Sequence, residues 1–169
     1  TMVFGLPAAI GAQLACPGRI VIDVDGDGSL RMNLGELETL TNYEIPVKVL
    51  LLNNLGDGMV RQWQTLMFDK RYSGTDKSLH KKDFVRAAQA DGFPFAKRVS
   101  DRAELRNVLK EFVECKRPAF LEIMTDQDAM VFPMVGPGKG YKDMLVGDFI
   151  HPRGPVREGS GDIADTSAY

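Results

Sequence analysis

Only two cysteines occur in the 169 residues, Cys16 and Cys115, far apart and in no C-x-x-C spacing. That pattern favours buried free thiols over a disulfide, and with them a reducing compartment. No apolar run reaches the ~18 residues that a membrane span needs. The opening stretch, TMVFGLPAAIGAQLACPG, lacks the charged leader of a signal peptide. Basic and acidic residues number 21 and 23, with no basic block and no interleaving of aromatic and basic residues. Nothing therefore points to nucleic acid or to a partner chosen by bulk charge. There is no internal repeat, and His80 and His151 stand in no metal or triad spacing and read as surface residues. The composition that remains, 44% hydrophobic and 26% charged, suits one globular domain. Because Thr1 stands directly against an apolar, Gly-rich run, the chain is expected to be part of a longer protein.

Three carboxylates on alternate residues, Asp23, Asp25 and Asp27, precede Gly28 in VIDVDGDGSLRMNL. They match the first half of a calcium loop, which would make the chain a non-enzymatic binding module. The second half is missing, since the closing glutamate position is Leu34 and the ninth position is Arg31. The run RIVIDV before it is β-branched and apolar with no helical period, so the acidic cluster ends a strand.

Helical and strand patterns alternate along the chain. LPAAIGAQLAC (6–16) reads as a helix of small residues, followed by the strand RIVIDV. Asn33 and Glu36 stand like a capping pair before the next helix, and PVKVLLLNN (46–54) is a buried strand. Helices follow over 58–67 and 80–92, then the strand FPFAKRV. Asp101 and Glu104 cap a helix carrying Leu105, Val108, Leu109 and Phe112 at i, i+3, i+4, i+7, and PAFLEIMT (118–125) is the last strand. The expected fold is α/β, a parallel sheet with helices on both faces that binds ligands at the carboxyl ends of its strands. The ordered domain is expected over 1–150, with an arm from about Met130 that includes GPGKG (136–140), and a disordered tail over 151–169.

Both expected strand ends carry chemistry. Asp27 and Asn54 offer two oxygen ligands, too few for a calcium cage but suited to Mg²⁺, which completes its shell with water and phosphate oxygens. Gly26 and Gly28 leave the backbone bare enough for phosphate to approach, and the amides of Gly28 and Ser29 can donate to it. The expected ligand is a magnesium diphosphate. Ser29 lacks a G-x-S-x-G frame and reads as an amide donor, not a nucleophile. GPGKG lacks the spacing and the hydroxyl residue of a P-loop. Glu36 and Glu38 read as helix-start and solvated residues.

GDGS, a spacer of 23 residues and NN resemble the signature of thiamine-diphosphate enzymes. Within that superfamily FGLPAAIGAQ, VDGDGSLRMNLGELETL, PVKVLLLNN, GMVRQWQ, RYSGT and FPMV, in this order, are similar to the carboxy-terminal domain of acetohydroxyacid (acetolactate) synthase over about Met2 to Phe149. The resemblance implies that Asp27, Asn54 and the carbonyl of Gly56 hold Mg²⁺, and that Met2 and Met59 contact thiamine diphosphate. Met59 and Trp63, four apart on one helical face, would line the substrate channel. The implied reaction is decarboxylation of pyruvate on the cofactor and condensation with pyruvate or 2-ketobutyrate, in branched-chain amino-acid synthesis. The family's activating glutamate and its FAD site belong to domains outside this stretch, so no catalytic residue is expected in it and the chain alone should be inactive. A catalytic homodimer or tetramer and a small regulatory subunit are implied, in the cytoplasm of a bacterium or an organelle of a eukaryote. Another 2-ketoacid decarboxylase or carboligase of the superfamily would share GDGS and NN but not GMVRQWQ. The sequence departs from common members at LGD (55–57), which bears on the stiffness of that loop.

Overall fold

The computed structural model describes residues 1–147. The expected end of the domain at 150, the tail and His151 lie outside them. The chain divides into two compact units, with the boundary between Met130 and Val131.

The first unit runs α1 (Gly5–Ala15), β1 (Ile22–Gly26), α2 (Asp27–Leu30), a 3-10 turn (Arg31–Asn33), α3 (Glu36–Asn42), β2 (Lys48–Asn53), α4 (Gly58–Met67), α5 (Phe84–Ala90), β3 (Phe95–Val99), α6 (Arg102–Glu114) and β4 (Ala119–Met124). The four strands are parallel in the order β1-β2-β4-β3. Each strand presents alternate residues to opposite faces, and both faces are packed. Val49, Leu51 and Phe120 meet Leu6 of α1, Leu37 and Leu40 of α3 and Phe84 and Ala88 of α5. On the other face Ala119, Leu121 and Val99 meet the stripe Leu105, Val108, Leu109 and Phe112 of α6. Phe112 is fully buried, worth about 1.5–3 kcal/mol by the area removed from water. Among the described residues that second face is covered over β3, β4 and Leu50 of β2. Ile22, Val24 and Leu52 on the β1–β2 half are 44%, 59% and 39% exposed, and β1 is an edge strand.

The α/β fold is as expected, with local corrections. The first strand begins at Ile22 rather than Arg19, because Cys16–Arg19 are folded into a turn. In that turn the amide of Arg19 donates to the Cys16 carbonyl, and the buried Gln13 side chain donates to the carbonyls of Cys16 and Arg19. The helix expected over 80–92 starts at Phe84, where Asp83 caps it by accepting from the Arg86 amide, and His80 is exposed before it. Asn33 and Glu36 do not cap α3. The Asn33 side chain donates to the Val3 carbonyl and Glu36 accepts from the Thr39 hydroxyl. Asp101 does cap α6, by accepting from the Ala103 amide. The cysteines are free, but Cys16 is exposed and Cys115 half-buried. Cys16 ends α1 in the open, whereas Cys115, at the end of α6, packs against the edge of the second core.

In the second unit Met134 and Leu145 exchange backbone hydrogen bonds of 2.9 and 2.7 Å around a 3-10 turn at Tyr141–Asp143. Within GPGKG, the Lys139 amide donates to the Gly136 carbonyl.

Candidate functional site

Because β1 and β2 are paired neighbours, with Gly26 level with Leu52, Asp27 and Asn54 leave the sheet side by side at its carboxyl end. They open on a cleft of about 350 Å³ that is also lined by Met2, Gly26, Gly28, Ser29, Leu52, Gly56, Asp57, Gly58, Met59, Val60 and Thr125. A shallower hollow of about 640 Å³ along α6, beside Leu105, Leu109 and Val113, is larger. It lies away from these oxygen donors, and the cleft at the strand ends is the candidate site.

Asp27 begins α2 and is only 2% exposed. Burial pushes its carboxyl above the usual carboxylate range, and the charges of Lys77 and Arg31 oppose the shift. A carboxylate removed from water in this way favours a cation beside it. Asp25 takes a different role, accepting from the Gly26 amide at 2.9 Å and from the Ser29 hydroxyl at 3.0 Å. The Ser29 oxygen in turn accepts from the Val3 amide at 3.1 Å. With Asn33 on the Val3 carbonyl, this pins the backbone of Val3, at φ 74°, and so brings Met2 to the cleft. Asp23 points to the helix-covered face, against Gly5 at the start of α1, and is 4% exposed. The three aspartates thus do not converge. Among the described residues no group of three or more His, Cys, Asp or Glu side chains stands together as a metal cage.

The loop after β2 is clamped on two sides. The Asp57 amide donates to the Thr75 carbonyl at 3.0 Å, the Lys77 amide to the Leu55 carbonyl at 2.8 Å, and the Gln127 side chain to the same Leu55 oxygen. Asn54 Oδ1 accepts from the Gly56 amide at 3.2 Å. Beneath it, buried Asn53 donates to Glu122 at 2.6 Å and accepts from the Leu55 amide at 2.8 Å. Glu122 is held by Arg98, which also reaches Asp83. The LGD loop is thus held by hydrogen bonds on two sides. A Cβ at Gly56 would lie 2.9 Å from the Thr75 carbonyl oxygen, a contact that the clamp has no room to relieve. Gly56→Ala is expected to weaken divalent-metal affinity by roughly tenfold, the order seen when the support of a metal ligand is disturbed. A metal titration of the full-length protein checks it.

Asp27, Asn54 and the Gly56 carbonyl form an all-oxygen donor set, which suits a hard cation such as Mg²⁺ better than a soft one. Gly28 is bare of a Cβ, and the place a Cβ would take is occupied by the Asp57 carboxylate, with the Met2 methyl group beside it. The donor set fits the metal of a metal-bound diphosphate. Met59, at the start of α4, lines the cleft, whereas Trp63, one turn on and half-buried, does not. The helix is anchored by its polar side. Arg61 pairs with Asp128 at 2.7 Å and stacks 3.8 Å from the centre of the Tyr72 ring, while Met59, Val60 and Met67 are about half exposed. Sequence reasoning missed Lys77, which forms an ion pair with Asp57. Asp57 was visible as an acid before GMV, but Lys77 lies in the charged run TDKSLHKK with nothing to single it out.

Fold and cleft define the class: an α/β domain that binds its ligand at the carboxyl ends of parallel strands. The chain belongs to the thiamine pyrophosphate enzymes, in their C-terminal TPP-binding domain, whose family model matches residues 1–123. It is 47% identical over 148 residues to the mitochondrial acetolactate synthase of Schizosaccharomyces pombe and 46% identical over 145 to the mitochondrial acetolactate synthase catalytic subunit of Saccharomyces cerevisiae. It is 39% identical to the acetolactate synthase large subunit of Pyropia yezoensis. These matches cover 86% of this chain and 21%, 21% and 24% of the relatives, so the chain spans about a fifth to a quarter of their length. A thiamine diphosphate-dependent 4-hydroxybenzoylformate decarboxylase of Rhodococcus jostii RHA1 superposes with a TM-score of 0.68 at 32% identity, over 76% of this chain and 24% of that one.

Proposed function

We propose that this chain is the cofactor-anchoring domain of an acetolactate synthase catalytic subunit, joining pyruvate to pyruvate or to 2-ketobutyrate with loss of CO₂. The observation that carries the reading is the placement of Asp27 and Asn54 at neighbouring strand ends, in a chain 46–47% identical to acetolactate synthases through that region. Asp27 would hold Mg²⁺ by its carboxylate, Asn54 by its amide oxygen and Gly56 by its carbonyl. The metal would in turn hold the diphosphate of thiamine diphosphate beside the glycine turn. When bound, thiamine diphosphate supplies the nucleophilic carbon and the electron sink for decarboxylation of the 2-ketoacid. The residues of this chain supply position. Asp25 and Ser29 pin Val3, so that Met2 closes one side of the cleft, and the Thr75–Lys77 clamp fixes the carbonyl of Gly56. Met59 and Val60 present an apolar rim that excludes water from the neighbourhood of the reacting groups. Trp63, on the same face of α4 as Met59, would touch the second ketoacid once the rest of the protein covers that face.

The proposal places the activating glutamate and the FAD site outside these 169 residues, and the active form in a dimer or tetramer of catalytic subunits with a small regulatory subunit. It also takes 2-ketoacids, and neither nucleic acid nor membrane, as partners. Among the described residues no helix is long and apolar enough to cross a membrane. The compartment would be the cytoplasm in a bacterium or an organelle in a eukaryote, which the mitochondrial names of the two fungal relatives support.

The test feeds pyruvate and 2-ketobutyrate to the full-length protein with Mg²⁺ and thiamine diphosphate. Acetolactate and acetohydroxybutyrate are expected, with loss on chelation and recovery on adding Mg²⁺, and with no product from the 169-residue chain alone. Release of the aldehyde without condensation would favour the second reading, a decarboxylase like the structural neighbour. Tight Ca²⁺ binding without any cofactor would sink both.

A further inference from the structure

The ion pair between Lys77 and Asp57 lies at the edge of the cleft and has no part in the metal site as assigned above. Its two members come from segments brought together only by the clamp, Asp57 from the loop after β2 and Lys77 from the segment bridged to it. Asp57 reaches inward. One carboxylate oxygen fills the space where a Cβ on Gly28 would stand, while the other meets the Lys77 ammonium. The Lys77 side chain is 12% exposed and that of Asp57 26%, so the pair is largely out of solvent, where charge acts over short distances with little screening.

An acid at this place is an obstacle to a diphosphate. The glycine turn is where the diphosphate would lie on the reading above, and a bare carboxylate packed against Gly28 would repel it. A diphosphate also brings more negative charge than one divalent ion cancels. Two cationic side chains stand near this turn, Lys77 on Asp57 and Arg31 directly after α2. Arg31 is turned away, with its guanidinium over the Phe84 ring, 5.3 Å from the centre. Lys77 is left as the cation next to the turn, on the far oxygen of the cleft-lining Asp57, which takes one of the three N–H donors of its ammonium.

We propose that Lys77 binds the diphosphate, with its ammonium held in place by Asp57 and donating to a phosphate oxygen beside the glycine turn. This rests on the cofactor-anchoring role proposed above and adds to it a recognition residue that is neither a metal ligand nor part of the glycine turn. Asp57 is then the orienting partner of Lys77 and not a ligand of the metal.

Calorimetric titration of the full-length protein with thiamine diphosphate, at saturating Mg²⁺ and over a salt series, tests the assignment. Lys77→Gln is expected to bind about 10- to 100-fold more weakly, the range for losing one hydrogen bond to a charged group, with a shallower salt dependence. Lys77→Arg should stay within a few-fold of the parent, and Mg²⁺-dependent binding of inorganic diphosphate should follow the same order. The decisive comparison is made in the Asp57→Asn background. If Lys77 contacts the diphosphate, adding Lys77→Gln still weakens binding at least tenfold; if it only neutralises Asp57, the double variant binds as Asp57→Asn does and the inference is overturned. Should Lys77→Gln alone not fold, Lys77→Met combined with Asp57→Asn leaves no unpaired charge and serves the same comparison. A parent that does not bind thiamine diphosphate with Mg²⁺ would overturn the cofactor-anchoring reading itself, a result distinct from unchanged affinity in the double variant.

Discussion

Asp27→Ala in the full-length protein is expected to abolish Mg²⁺-dependent retention of thiamine diphosphate. Of the three oxygen donors assigned to the metal, Asp27 alone can carry a charge; Asn54 and the Gly56 carbonyl are neutral dipoles. Its carboxyl is 2% exposed and is pushed up by burial, so without a divalent ion the charged form is held at a cost that the ion would remove. The affinity loss should exceed the roughly 10- to 100-fold that follows from disturbing groups behind a metal ligand. Asp27→Asn, which keeps an oxygen but not the charge, should fall between the two. Retention of the cofactor on gel filtration at low Mg²⁺, followed by thiamine fluorescence after its release and oxidation, reads the result. Equal retention by Asp27→Ala and the parent would remove Asp27 from the metal site.

A second large effect is expected at Asp23, and it is a gain. The side chain is 4% exposed and its Oδ2 finds no hydrogen-bond partner among the described residues. Burial, and then the charge of Asp25, push its carboxyl up to about 6 from 3.8. The folded state therefore holds a proton that the unfolded state releases, and stability attributable to this group falls as pH rises from about 4 through about 6. Above that window the penalty is complete, about 3 kcal/mol from a shift of this size. Asp23→Asn should remove it, raising the unfolding temperature at pH 7.5 by several degrees while parent and variant converge near pH 4. Thermal unfolding of both proteins across that range is the measurement. A variant less stable at every pH would mean that the carboxylate has a partner in the assembled protein.

The placement of Asp27 and Asn54 was legible because two features of the sequence agree. Each follows a run apolar enough to be a central parallel strand, and in such sheets loops at the carboxyl ends face one region. Contacts between distant segments were not legible. Asn33 and Glu36 have the spacing of a capping pair, but spacing says nothing of Val3, whose carbonyl takes the Asn33 amide instead. The bounds of β1 shifted for a similar reason, since its pairing with β2 begins only at Ile22 opposite Lys48. The Lys48 side chain, in a run that reads as apolar, is buried with its ammonium on the carbonyls of Pro46 and Arg117. Lys77 shows the limit most clearly. Its role depends on a bridge between Gly56 and Asp76, a pairing that no local pattern announces. Arg61 and Gln62, turned inward on α4 while Met59 and Val60 face out, likewise reverse the polarity a helix of this composition suggests.

The open edge of β1 has a bearing on how such a protein is made. Among the described residues no strand pairs with it on that side, and Ile22, Val24 and Leu52 lie exposed nearby with no charged side chain on the bare face of β1 to discourage a stranger. A ribosome-bound or newly released copy therefore carries a template on which a second copy can add a strand, and aggregation competes with assembly for the same surface. Relatives of which this chain matches only 21% and 24% have chain to spare for covering it. The yield of active protein then depends on whether that covering segment docks before another nascent chain does.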